Sequence, residues 1–433
     1  MRKNEKVMSW LEKTAVFFLY YLVLALPFSK TLVEFSVIVV LLMWFVRRIV
    51  QWRVYSLSPI QAFAPCSTFL NLPIGIFLLT GIISTFLSVS KALSLEGLFL
   101  KLFELILIFF ITVEFFNSRH RIKKLFFVLF LPIAILIIDI VGQSLTGFDL
   151  LRGQARIGQY IIQGPFTNSN DLAGWLLLII PVILSCAYLQ EKDWLNVVGR
   201  FTSLAANMRL ILYGTAILLV ACLFFTYSRG AWIAFLLSVF FLYILKAKKA
   251  RLLVTGILVC FVIVIIFLFI ILPETSKETL EYILKAGNQG VSVRIKLWQE
   301  AIGIIKDHPF FGCGLNTYAT VAPGYRITET TGFYPHSSYL RMAAESGLLG
   351  LGAFTWILVT LFKKSLANLK KIDNRFYATF LMGILAGLFA FLAHSFVDTS
   401  IYSLQLGGLM WFMIAVVIAI QKVDFDTKSK TLL

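Results

Sequence analysis

The sequence predicts an all-α integral membrane protein of about twelve transmembrane helices, with one large outer loop that contains short helices of its own. Three observations predict this class. Hydrophobic residues make up 59% of the 433 residues and charged residues 14%, where soluble domains carry about 45–50% and 25%. Runs such as "LLVTGILVCFVIVIIFLFIIL" at 252–272 exceed the roughly 18 uncharged apolar residues that read as a spanning helix. Finally, Lys and Arg gather in alternate connections, as the positive-inside rule requires. Residues 1–433 read as a single polytopic domain, with 273–346 as the large outer loop within it.

The expected spans lie near 14–28, 31–46, 69–87, 95–116, 125–146, 170–189, 209–226, 230–246, 252–272, 347–362, 376–397 and 402–420. With the N-terminus inside, the inner connections hold Arg47, Arg48 and Arg53, then Arg119, Arg121, Lys123 and Lys124. Further on come Lys246, Lys248, Lys249 and Arg251, then Lys363, Lys364, Lys370, Lys371 and Arg375. Both termini therefore fall inside. The opening "MRKNEKVMSWLEKT" is polar and lacks a small-residue cleavage site after a short apolar core, so no cleavable signal is expected. The net charge of +17 reports orientation and not nucleic-acid binding. Arg152, Arg156, Arg229, Arg294, Arg326 and Arg341 stand apart, since they fall on the outer side.

Cys66, Cys186, Cys222 and Cys260 lie in or beside spans, and Cys313 is alone in the large loop. They form neither a disulfide framework nor a metal-binding pattern. His120, His308, His336 and His394 are scattered without ligand spacing. Neither a cofactor nor a metal is expected.

Within the large loop, Val291, Ile295, Trp298, Ile302 and Ile305 recur on one face of an amphipathic helix. That helix should end at Asp307-His308-Pro309, because proline disfavours helix in the residue before it. "FFGCGLNTYA" reads as a glycine-punctuated turn. A second helix starts with Ser337 or Ser338 as its N-cap and stops at Gly347, where a span begins. A second outer loop, at 147–171, is glycine-rich and polar. Both loops converge with the short turn "TYSRG" at 226–230 on the outer face.

Several residues there could carry chemistry. Arg229 is either a snorkelling anchor of a helix end or a fork for phosphate oxygens. Arg294 is either a solvated helix face or a second such fork, and Arg152 and Arg156 could be loop surface or part of the same set. His336 stands beside a helix N-terminus at the outer lip, where an imidazole could serve as general base for a hydroxyl; otherwise it is a hydrogen-bonded loop histidine. Glu345 reads as a structural partner tying loop to span. The acidic pair "DFD" at 424–426 lies in the inner tail and reads as solvated. Lys101 is expected to pair internally with Glu104, and Asp139 is an intramembrane acid, a class usually functional or paired.

Taken together, these residues resemble a known family. "HSSYLRMAAESGLLG" resembles the His-[Asn/Ser/Gln]-x9-Gly-x-x-Gly signature of bacterial O-antigen ligases, with His336, Ser337, Gly347 and Gly350 in register. "GPFTNSNDLAGWLLLIIPVIL" is similar to the Asn-Pro-Asn helix start of the wider ligase and polymerase superfamily, with Ser169 where proline often stands. "SRGAWIA" and "VRIKLWQEAIGIIKDHPFFGCGLNTY" resemble its other blocks.

The resemblance implies a GT-C-like glycosyltransferase of the bacterial inner membrane. It would transfer an undecaprenyl-pyrophosphate-linked glycan to a lipid A-core acceptor at the periplasmic face, within lipopolysaccharide biosynthesis. It implies a metal-independent, inverting displacement with His336 as catalytic base. Arg229 and Arg294, with Arg156, Arg152 and Asn170, would hold the pyrophosphate and glycan. The partners are then that donor, that acceptor and membrane lipids, with no nucleic acid. The nearest rival is the related repeat-unit polymerase for O-antigen or exopolysaccharide, which uses the same donor. From another class, a non-catalytic transporter of lipid-linked glycans would place its titratable residues near mid-membrane instead.

Overall fold

The computed structural model describes residues 2–54, 58–155, 161–199, 201–245, 274–327 and 334–431. Among them there are helices and one isolated bridge, Phe148 to Ala155, but no strand. Seven helices are long and apolar enough to cross a membrane, and Asn71–Phe86 and Arg229–Leu245 are shorter apolar helices. The protein is an all-α integral membrane protein. Each expected span coincides with helix to within a few residues, except 252–272, which lies outside the described residues.

The centre of the bundle is the pair Ser169–Cys186 and Arg375–His394. A Cβ on Gly387 would lie 2.4 Å from the Leu178 carbonyl oxygen, and one on Gly383 would lie 2.7 Å from the Val182 Cα. Lipid tails supply no hydrophobic drive between helices, so association relies on close backbone approach through small residues. The Leu404–Thr431 helix is buried along nearly all of its apolar length beside this pair.

Basic residues at the end expected to lie inside also close ion pairs. Arg47 and Arg48 both bind the Glu114 carboxylate, which accepts from Trp44 Nε1 at 3.0 Å as well. Arg121 pairs with Glu12 at 2.6 Å. Asp424 corrects the reading of "DFD" as solvated tail. The last helix runs on to Thr431 and carries Asp424 to a position only 1% exposed, where Arg119 meets it at 2.9 Å.

Polar residues on the helices hold the loops at the opposite end. Lys101 does not pair with Glu104 as expected; its Nζ donates to Asn316 Oδ1 at 2.6 Å. The cause is local, because Leu98–Phe103 is a π-helical turn, whose wider winding takes residues three apart out of register. Asp139 accepts from the Leu150 and Leu151 amides at 2.8 and 3.2 Å, and Gln143 Oε1 accepts from the Gln163 and Gly164 amides. The 147–171 loop is thereby pinned to the helix beneath it.

The loop helix runs over Glu274–Asp307, and its buried face differs from the expected one. Leu297, Glu300, Ala301 and Ile304 turn inward, while Val291, Ile295 and Ile302 are exposed. Ala301 and Ile304 pack with Cys313, Tyr318, Ala322 and Ala344, and of the expected stripe Ile305 packs against this cluster.

The Ser338–Leu369 helix breaks at Gly347, whose φ is 71° and ψ 178°, a region open essentially to glycine alone. A break strands backbone groups that must be paired, and the "PFFGCG" segment pairs them. Cys313 and Gly314 amides donate to the Ala344 and Glu345 carbonyls at 2.8 and 3.0 Å, and the Leu348 amide donates to the Pro309 carbonyl at 2.8 Å. This docking fixes the 309–314 segment over the start of the span.

Candidate active site

His336 is placed by the turn that follows the Arg375–His394 helix. Ser337 caps the next helix, accepting from the Leu340 amide at 3.4 Å. The Ser338 amide donates to the Ser395 and Asp398 carbonyls, both at 2.9 Å, and its hydroxyl donates to the Asp398 carbonyl at 2.9 Å. His336 itself has a φ of 45°, a left-handed conformation uncommon outside glycine and worth explaining by function.

The ring of His336 stands 43% exposed with Nδ1 3.9 Å from Asp398 Oδ1. That is too long for a hydrogen bond. Nδ1 is buried and has no hydrogen-bond partner. Asp398 is itself buried, with Ser400 Oγ donating to Oδ2 at 2.6 Å. Burial would push the Asp398 carboxyl up, but His336, His394 and the Ser400 hydroxyl hold it below its ordinary value. An ionised carboxylate therefore sits behind an accessible imidazole.

Two of the expected arginines join this pair. Arg229 is the exposed first residue of the Arg229–Leu245 helix. Arg294 is half-buried on the loop helix, its pKa pressed down by burial and by the neighbouring Arg229, against the pull of Asp398. Two guanidinium groups within charge range of each other are chemically suited to meet a multiply charged anion. Asn170 is the second residue of the Ser169–Cys186 helix, capped by Asn168, and the next residue, Asp171, feels the charge of Asp398, so this helix start lies near the same place.

The other candidates are placed differently. Arg152 donates to the Phe28 carbonyl at 2.5 Å and lies in a loop organised by Asp149, so it ties the loop to the turn between the helices Arg2–Ala25 and Lys30–Val54. Arg156 lies outside the described residues. Glu345 accepts from Arg341 Nε at 3.0 Å and from the Tyr318 amide at 3.4 Å, in line with its reading as a tie between loop and span. Arg341 lies between the Tyr334 and Tyr402 rings, 4.2 and 3.9 Å from their centroids.

Beneath this stack opens a crevice of about 730 Å³, apolar along Val37, Phe77, Phe354 and Trp411, and polar at Lys101, Arg341 and Glu345. Among the described residues, no group of His, Cys, Asp and Glu is arranged to hold a metal ion.

Sequence reading missed Asp398, Asp171 and His394. The available signal was "HSFVD" at 394–398, two titratable residues closing a long apolar helix. Their relation to His336 is visible only when the turn folds back against Ser338.

Residues 214–355 match the family described as O-Antigen ligase, a segment that contains Arg229, Arg294, His336 and Gly347 but not Asp398. A 104-residue stretch is 31% identical to the exopolysaccharide production protein ExoQ of Rhizobium meliloti (strain 1021), covering 22% of this chain and 24% of that protein. The chain thus matches about a quarter of that relative's length. Over residues 214–355, then, a helical membrane bundle with the signature residues at one end is similar to the O-antigen ligase family.

Proposed function

We propose that this protein is a ligase-type glycosyltransferase. It transfers a glycan from undecaprenyl pyrophosphate to a lipid A-core acceptor on the periplasmic face of the bacterial inner membrane. The observation that carries this reading is the His336–Asp398 pair standing beside Arg229 and Arg294.

A glycosyl pyrophosphate is already activated, so the site has two tasks. It must take a proton from the attacking hydroxyl and stabilise the departing pyrophosphate. In the proposed step the acceptor hydroxyl gives its proton to His336, and its oxygen attacks the anomeric carbon. The bond from that carbon to the pyrophosphate oxygen breaks, and undecaprenyl pyrophosphate leaves. A single displacement of this kind inverts the anomeric centre. Asp398 stabilises the imidazolium as it forms; the 3.9 Å separation is of the kind that tightens when substrate binds. Arg229 and Arg294 present preorganised charge to the leaving group. The apolar crevice, level with the helices, takes a hydrocarbon tail of a lipid-linked substrate.

A second reading, repeat-unit polymerase, is favoured by the likeness to an exopolysaccharide production protein, and shares the same donor step. Deletion in the native host followed by a lipopolysaccharide gel separates the two. Intact core without polymer supports the ligase, core bearing a single repeat supports the polymerase, and an unchanged ladder with altered exopolysaccharide would remove lipid A-core as acceptor.

A further inference from the structure

The mechanism above leaves one buried titratable side chain unused. His394 is the last residue of the Arg375–His394 helix and is only 1% exposed. Its Nε2 lies 3.3 Å from the Ser228 hydroxyl, and its Nδ1 is buried without a hydrogen-bond partner. A polar ring is costly to bury in this way unless it performs some task.

Ser228 immediately precedes Arg229. Its carbonyl accepts from the Ala231 and Trp232 amides at 3.0 and 3.1 Å, so it starts the helix that presents Arg229. A serine in that position normally turns its hydroxyl onto the helix's own amides; here the hydroxyl meets the histidine ring instead. The turn before it is strained, with Tyr227 at a φ of 53°. Contact continues on the other side, where a Cβ on Gly230 would lie 2.6 Å from Val397 and 3.5 Å from the His394 ring.

The same 394–398 turn also holds the other half of the site, through the Ser338 amide and hydroxyl on the Asp398 carbonyl. His394 thus sits where two rigid connections meet: one to the turn carrying Arg229, one to the helix start carrying His336. Asp398 and Arg294 are the charged groups within range of its ring.

We propose that His394, through Ser228, is a positioning residue that sets the placement of Arg229 against the His336–Asp398 pair. It touches neither substrate nor reacting atoms. The proposal rests on the reading of Arg229 as a pyrophosphate contact.

The test uses the full-length protein in detergent, with undecaprenyl pyrophosphate as the binding probe. His394→Leu and Ser228→Ala should each weaken binding by roughly three- to tenfold, the scale of one hydrogen bond, with the same size of effect singly and together. His394→Gln, which can place a hydrogen-bonding group near the Nε2 position, should retain most of the affinity. In a double-mutant cycle, Arg229→Ala should cost less in the His394→Leu background than in the wild type. Hydrogen exchange supplies a readout independent of donor binding: amides of 226–232 should exchange faster in His394→Leu, with no change at the inner end. Strict additivity of His394→Leu and Arg229→Ala would overturn the proposal, as would unchanged exchange at 226–232. Faster exchange there, in a protein whose wild type fails to bind the probe, would keep the tie and count against the pyrophosphate reading instead.

Discussion

In the proposed mechanism His336 is the base and Asp398 the carboxylate behind it, and the two should respond differently to substitution. His336→Ala is expected to cut turnover by about 10²–10⁴, the usual worth of a positioned general base, with donor binding largely intact. Near-normal turnover in that variant would move the base elsewhere, with Glu345 the first alternative to test. Asp398→Asn keeps the shape and removes the charge, so it too should lower turnover while leaving donor binding in place. It also carries a stability signature. Because the Asp398 carboxyl is held below its ordinary value in the fold, its ionised form contributes stability above the unfolded-state value of about 4. That contribution disappears as pH falls through the lower folded value. The melting-temperature gap between wild type and Asp398→Asn in detergent should therefore stay constant near neutrality and shrink only below about pH 4. For Arg229 and Arg294, replacement by Lys should rescue binding poorly, since a point charge cannot reproduce a bidentate fork. Full activity of Arg229→Lys would reduce that residue to an anchor of the helix end.

The break at Gly347 is the element on which the outer loop depends. Its φ and ψ leave no room for a side chain, and a Cβ would lie 2.1 Å from the Phe310 carbonyl oxygen. Gly347→Ala should cost at least about 1–3 kcal/mol from backbone strain alone and should also displace the 309–314 segment that pairs the broken helix. Gly352 provides the contrast, because it lies one turn further along the same helix with nothing within 4 Å of its Cβ position. Gly352→Ala should be neutral or slightly stabilising. Equal melting temperatures for the two variants would mean that the break does not hold the loop. How legible these elements were varied with their physics. Apolar length located the helices, and Ser337 could be read as a cap because its type and position suffice. The π-helical turn at 98–103 and the inward face of the loop helix could not be read, since each depends on which partner lies opposite.

At the scale of the whole molecule, orientation and charge are coupled. If the basic end is inside, single cysteines at Ile327, which is 55% exposed, and at Lys370 should label oppositely with an impermeant thiol reagent. Ile327→Cys should react in intact spheroplasts and Lys370→Cys only after lysis. The reverse pattern would invert the topology and every assignment of the site to the outer face. In the proposed mechanism guanidinium groups meet the leaving group, so glycan transfer should also survive EDTA; activity lost and then restored by Mg²⁺ would sink that account.

What the sequence determined by itself was whatever depends on local composition: a helical membrane bundle, the clustering of Lys and Arg at one end, and His336, Arg229 and Arg294 as candidates. Bilayer energetics act on every residue according to its own polarity, so these features can be read without knowing any contact. Tertiary structure alone decided the rest. It brought Asp398 to His336, Ser228 to His394 and Asp424 to Arg119, and it gave Lys101 to Asn316 across 215 residues of chain. A buried polar group must find a partner wherever the fold provides one, and that partner is set by which helices become neighbours rather than by the residues on either side of it in the chain.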